Sequence, residues 1–189
     1  GLPMETDEDI QGIVDMTRRV QQHMAAIGNT SKITLSINPF IPKPCTPFQW
    51  MAMTDKKTVE KRLAYIKKSL DKDKQIEILA EPLRQCYIQG VLSRGDRRVG
   101  ELLVKAHEYG GVKGWKRAVK EMRFDTDHFL YTKRDVHALL PWSVLDMGLA
   151  PSYLVHELEQ ARHGAFTIPC FDGCHRCHVC GGTNGTSVD

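Results

Sequence analysis

The chain has 189 residues, a hydrophobic share of 41%, a charged share of 26% and a formal net charge of +3. That is the balance of an ordinary globular protein, with length enough for one core or slightly more, and a charge that slight does not by itself argue for nucleic acid. No apolar run approaches the roughly 20 residues that a bilayer span needs, and no basic segment followed by an apolar one reads as a signal peptide.

The first element is a helix. Thr6 with Asp9 three residues on makes an acidic variant of a capping box. Ile10, Ile13, Val14, Val20, Met24 and Ile27 then recur at helical spacing until Gly28 supplies a stop. From Ile33 to Phe40 the period falls to two, with Ile33, Leu35 and Ile37 alternating against Thr34, Ser36 and Asn38, which predicts a strand with one packed face. Pro42, Pro44 and Pro47 forbid its continuation and stiffen the loop that follows. Phe48 and Trp50 lay apolar area back on the protein, and Thr54 opens a second helix along the stripe Val59, Leu63, Ile66 and Leu70. The other face of that helix carries Lys56, Lys57, Lys61, Arg62, Lys67 and Lys68. With no aromatic residues interleaved it reads as a solvated face.

Ile76–Ala80 is a short strand ended by Pro82. Leu83, Tyr87 and Val91 mark a helix that breaks at Gly95, and Asp96 is the expected N-cap of the next, with Val99, Leu102, Leu103 and Ala106 facing inward. Trp115, Val119 and Met122 fit a short helix. Phe124 to Asp135 reads as loop and cap chemistry, since its acidic residues lack the glycine and terminal Glu of a calcium loop. Leu139–Trp142 reads as a packed turn, and Pro151 opens a helix carrying Leu154, Leu158 and Ala161 to Gly164. Arg94, Arg97 and Arg98 cluster at a helix start, where backbone N–H groups favour an anion, so a substrate phosphate or carboxylate is one reading. An internal ion-pair cluster with Asp96 and Glu101 is the other, and the residues alone do not choose.

The strongest chemical signal is Cys170-x3-Cys174-x2-Cys177-x2-Cys180. Four thiolates at such short gaps let one loop wrap a soft metal centre, and Gly173 and Gly181 allow the turns. One compact run suits iron–sulfur ligation. Zinc is the alternative, with His175 and His178 as further ligands. A tight cluster beside the two lone thiols Cys45 and Cys86 fits a reducing compartment, so the cytoplasm is the expected location.

Several of these stretches, in this order, resemble radical SAM proteins of the group often fused to a cobalamin-binding domain. GLPMETDEDI is similar to the segment after their fifth barrel strand, and PFIPKPCTPFQW to their F-x-PKP-x-TPFQW run. SRGDRRVGE at 93–101, LPW at 140–142 and the terminal cysteines follow in the expected sequence. The family usually shows CG-x-C at the end, and His178 stands where that glycine would be.

The resemblance implies a mixed α/β fold. Residues 1–80 would be the closing units of a partial (β/α) barrel, with the Ile33–Phe40 strand beside the adenine of S-adenosylmethionine. Residues 81–164 would form a mainly helical C-terminal region, 165–182 a four-cysteine metal knot, and 183–189 a disordered tail. It further implies that Ser36, Asn38 and Phe40 line the SAM side and that Glu5 lies near the ribose or adenine edge. From the residues alone, Glu5 is first-turn charge complementing the helix dipole.

Cys170, Cys174 and Cys177 by themselves spell the family's catalytic triad. A fourth cysteine is at hand to close the site, however, and only a tail follows, so the expectation is an auxiliary 4Fe-4S cluster. The catalytic C-x3-C-x2-C loop and glycine-rich strand would precede Gly1. The chain is therefore expected to be a C-terminal fragment, inactive alone, whose partner is the missing N-terminal half of the same enzyme. The complete protein would cleave SAM reductively or transfer methyl through cobalamin, on a small-molecule or RNA substrate. A second reading, of another class, is a free-standing zinc- or iron–sulfur-stabilised module that binds RNA or protein.

Overall fold

A computed structural model of the chain describes residues 1–71 and 73–179. Cys180 and the 183–189 tail lie outside the described residues.

Helix α1, Asp7–Ala26, begins on the expected capping box. Thr6 accepts from the Asp9 amide, and the Asp9 carboxylate takes the Thr6 amide in return. These bonds, the Thr6 backbone first, hold the Asp9 carboxyl below its ordinary value of 3.8. A depressed folded pKa makes the cap fully effective above that value and weakens it as the pH falls through the folded pKa. The first turn of α1 should therefore fray only below pH 3.8. Thr6 amide exchange followed by NMR should show this step in the native chain and not in Asp9→Asn.

Strand β1, Ile33–Ile37, pairs in parallel with β2, Ile76–Ala80, in the register Ile33↔Ile76 through Ile37↔Ala80. Helix α2, Lys56–Leu70, makes the crossover between them, as a parallel pair requires. Asp55, not Thr54, caps α2 by accepting from the Thr58 amide. Thr54 turns its hydroxyl to the Gly1 carbonyl instead. Period-two alternation sends Leu35, Ile37, Ile76 and Ile78 against Ile10 and Val14 of α1 and Ile66 and Leu70 of α2. The opposite face, with Thr34, Ser36, Glu77 and Leu79, is bare. Val20 and Ile27, expected on the packed stripe of α1, are exposed because the sheet is too narrow to reach them.

The remaining helices are α3 (Leu83–Arg94), α4 (Arg98–Glu108), α5 (Trp115–Glu121), α6 (Thr126–Tyr131) and α7 (Pro151–Arg162). Asp96 sits two positions before the first residue of α4 and still accepts from the Arg98 amide. Leu103 is exposed rather than inward, because the buried line of α4 runs through Val99, Leu102 and Ala106. Helix α6 occupies part of the segment expected to be loop, where Asp125 caps it and Phe129 and Leu130 are buried.

The proline loop ties these parts together. Its Ile41 and Met53 enter the core of α3–α6, whereas Trp50, in the short 3-10 turn Pro47–Trp50, packs with Leu140, Trp142, Leu154 and Leu158. Among the described residues no helix is long and apolar enough to cross a membrane.

Candidate functional site

A cavity of about 400 Å³ opens at the C-terminal end of β1, within the size range of small-ligand pockets. Its apolar wall comes from Ile10, Ile13, Ile37, Val59, Leu63 and Ile66, and its polar groups are Glu5, Asn38, Lys43, Arg62 and Gln89. Three of the four residues expected on the SAM side, Glu5, Asn38 and Phe40, line it together. Ser36 does not. It lies on the bare face of the sheet, and the turn to Asn38 follows only because the ladder ends at Ile37, three residues before the expected end of the strand.

Glu5 is more than a first-turn charge. Its side chain is only 11% exposed and its Oε2 meets Arg62 Nη1 at 2.8 Å, while Arg62 Nη2 donates to the Glu5 carbonyl at 2.7 Å. The Gly1 amine also reaches Oε2, at 2.5 Å. Oε1 has no hydrogen-bond partner among the described residues, and Arg62 Nε is buried with none, 3.9 Å from the Asp7 carboxylate. The pocket thus offers an acceptor, Glu5 Oε1, on an ion pair shielded enough for its charges to be felt. Asn38 accepts from the Glu81 amide through Oδ1, which leaves its NH₂ to donate. Phe40 meets Phe48 edge to face at 5.4 Å, and that contact fixes the ring at the rim. Lys43 is held by Gln89 at 3.0 Å and Ser93 at 3.1 Å. Apolar walls, an immobilised ring and a few hydrogen-bonding groups suit the flat, polar-edged body of a nucleoside.

Sequence reading missed Arg62 as part of this site because it was grouped with the lysines of a solvated face. The signal was there, since Arg62 stands three residues after Val59 and four before Ile66, on the inward side of α2.

The arginine cluster does not assemble. Arg94 is fully buried and donates to four backbone carbonyls: Phe129 at 2.7 Å, Met51 at 2.6 Å, Thr132 at 3.0 Å and Gln49 at 3.4 Å. It has no room to dock an anion. Burial pulls its pKa down to about 10, so it stays charged at neutral pH. Arg98 grips Asp96 through both carboxylate oxygens, the internal ion pair of the alternative reading, and only Arg97 is exposed without such a partner among the described residues.

What Arg94 does instead is join three of the sequence motifs. Through Gln49 and Met51 it holds the TPFQW turn. The Gln49 amide oxygen accepts from the Cys45 amide at 3.1 Å and from Trp142 Nε1 of the LPW turn at 2.7 Å. Arg134 lies 4.9 Å over the Trp142 ring and donates to the Arg94 carbonyl at 2.6 Å. The motifs meet in one buried node that shapes the loop carrying Phe40 and Lys43.

Cys174 is buried, Cys177 half-buried and Cys170 exposed. Among the described residues no group of three or more His, Cys, Asp or Glu side chains is arranged to hold a metal. Arg176 occupies the Cys174 sulfur at 3.2 Å and holds that thiol below its ordinary range. The segment is fastened to the start of α7, where the Ala150 amide donates to the Cys177 carbonyl. His178 takes a left-handed φ of 66° and Gly173 one of 81°. The first is a conformation that glycine adopts without strain.

No protein-family model matches the chain, and no solved structure matches it. The uncharacterized protein MJ0966 of Methanocaldococcus jannaschii is 34% identical over 103 residues, which is 54% of this chain and 21% of that protein. The chain therefore matches about a fifth of the relative's length.

Proposed function

We propose that this chain is the C-terminal part of a cytoplasmic radical SAM iron–sulfur enzyme, and that the β1 pocket receives the nucleoside portion of SAM. The observation that carries the reading is the meeting of Glu5, Asn38 and Phe40 around one cavity at the C-terminal end of a parallel strand. In β/α barrels that end is where the chemistry is placed. A parallel pair with helices on one face and a bare second face supports the barrel reading, since parallel sheets are ordinarily covered on both.

Within that reading, Glu5 Oε1 accepts from a ribose hydroxyl and the Asn38 NH₂ donates to a ring nitrogen. Phe40 and the isoleucines exclude water from the base. Arg62 orients Glu5 by pairing with its Oε2 and its backbone carbonyl. Bound SAM would supply a 5′-deoxyadenosyl radical on reduction by a cluster held elsewhere in the complete protein, or methyl groups where cobalamin is the carrier. The four terminal cysteines would close an auxiliary metal site once Cys180 joins and Arg176 releases Cys174, with iron–sulfur ahead of zinc.

The test is chemical. The polypeptide encoded upstream of Gly1 should contain C-x3-C-x2-C. The complete protein, purified without oxygen and reduced with dithionite, should release 5′-deoxyadenosine from SAM. Phe40→Ala should slow that release about tenfold, by losing roughly 1.4 kcal/mol of positioning. An upstream frame without the cysteine loop, or no 5′-deoxyadenosine from the iron-loaded protein, overturns the reading.

A further inference from the structure

The net charge of +3 conceals a strong asymmetry. Residues 83–123 hold ten Lys and Arg against four Asp and Glu, a net +6, whereas the rest of the chain holds 16 against 19, a net −3. Structure concentrates this further. Lys113, Lys116, Arg117, Lys120 and Arg123 are all exposed. They recur at three- and four-residue intervals, so they lie along one side of α5 and its flanking turns.

The contrast with α2 is informative. Three of its six basic residues are answered by carboxylates, Lys56 by Glu60, Lys61 by Asp7 and Arg62 by Glu5. Among the described residues Lys57, Lys67 and Lys68 are not, and these three do not form a continuous row. Among the described residues, Lys113, Lys116, Lys120 and Arg123 have no acidic partner within ion-pair distance. Arg117 lies 3.9 Å over the Tyr109 ring, which fixes its guanidinium at the surface.

We infer that the α5 face is a docking surface for the phosphate backbone of a base-paired nucleic acid. A row of cations roughly 15 Å long, taken at helical rise, complements the regular charge of a duplex backbone. A lipid surface fits less well, because Trp115 and Ala118 of α5 are buried, Val119 is half-buried and Val112 in the flanking turn is the one exposed apolar side chain along the row. Unpaired bases also fit less well, because Tyr109 is already covered by Arg117 and Lys105 and no free aromatic platform accompanies the row. The inference stands apart from the radical SAM reading and survives its failure.

The experiment is fluorescence anisotropy of this chain with a labelled 20-base-pair RNA duplex, a DNA duplex of the same sequence, and salt titrated from 50 to 200 mM. Five phosphate contacts predict a log–log salt slope of about −4.5, hence roughly a 500-fold loss of affinity over that range. The charge-reversed variant K113E/K116E/K120E, confirmed as folded by circular dichroism, should bind at least about tenfold more weakly and lose about three from the slope. K57E/K67E/K68E on α2 should stay within about twofold of the native chain. Equal binding by the α5 variant overturns the inference. So does competition by polyglutamate, by a single-stranded oligonucleotide or by anionic vesicles as effective as that of the duplex at matched charge.

Discussion

Arg94→Met should cost the fold about 4 kcal/mol, the sum of a lost charge-assisted network and four carbonyls, two buried and two part-buried, left without this donor. Methionine fills much of the same volume and removes the buried charge. The loss therefore measures the carbonyls of Gln49, Met51, Phe129 and Thr132, in two segments that the backbone hydrogen bonds from Met53 to Leu130 and from Arg134 to Trp50 also join. Arg94→Lys should recover only part of it, since a single ammonium cannot span a fork of four acceptors. Urea unfolding with an unchanged m-value is the measurement. A loss below about 1 kcal/mol would mean that the three motifs hold together without this residue.

Trp142→Ala should cost about 3–5 kcal/mol, the usual toll of removing a buried large aromatic. The indole is 9% exposed and packs among Trp50, Leu140, Leu154 and Leu158. Its Nε1 donates to Gln49, and Arg134 covers its face. Trp142→Phe separates these terms. It keeps most of the apolar area and gives up the hydrogen bond, for about 1 kcal/mol. Because Arg94 and Trp142 act on the same turn, the double variant should lose less than the two singles together, by 0.5 kcal/mol or more on the order expected for coupled neighbours. Strict additivity would separate the two halves of the node.

Much of the architecture was legible because it is local. The capping box of α1, the alternation of β1, the stripes of α2 and α7 and the glycine breaks all act within a few residues, and each element formed near its expected place. Helix α6 was not legible, since six residues, TDHFLY, are too few to show a helical period and are held by the burial of Phe129 and Leu130. For the candidate site, the family resemblance supplied Glu5, Asn38 and Phe40, which now line one cavity, and spacing along α2 could have added Arg62. The fate of Arg94 could not have been read from its neighbours. Its partners are carbonyls 35 to 45 residues away, and backbone oxygens leave no mark on composition. The arginine triplet read as an anion site or an ion-pair cluster for that reason.

The left-handed backbone at His178 sets two demands on one position. An imidazole there lowers the comfort of the chain by roughly 1 kcal/mol, and a glycine would restore it while deleting a side chain capable of ligating metal. Relaxing the turn and keeping a side-chain nitrogen beside the cysteines are thus opposed at residue 178.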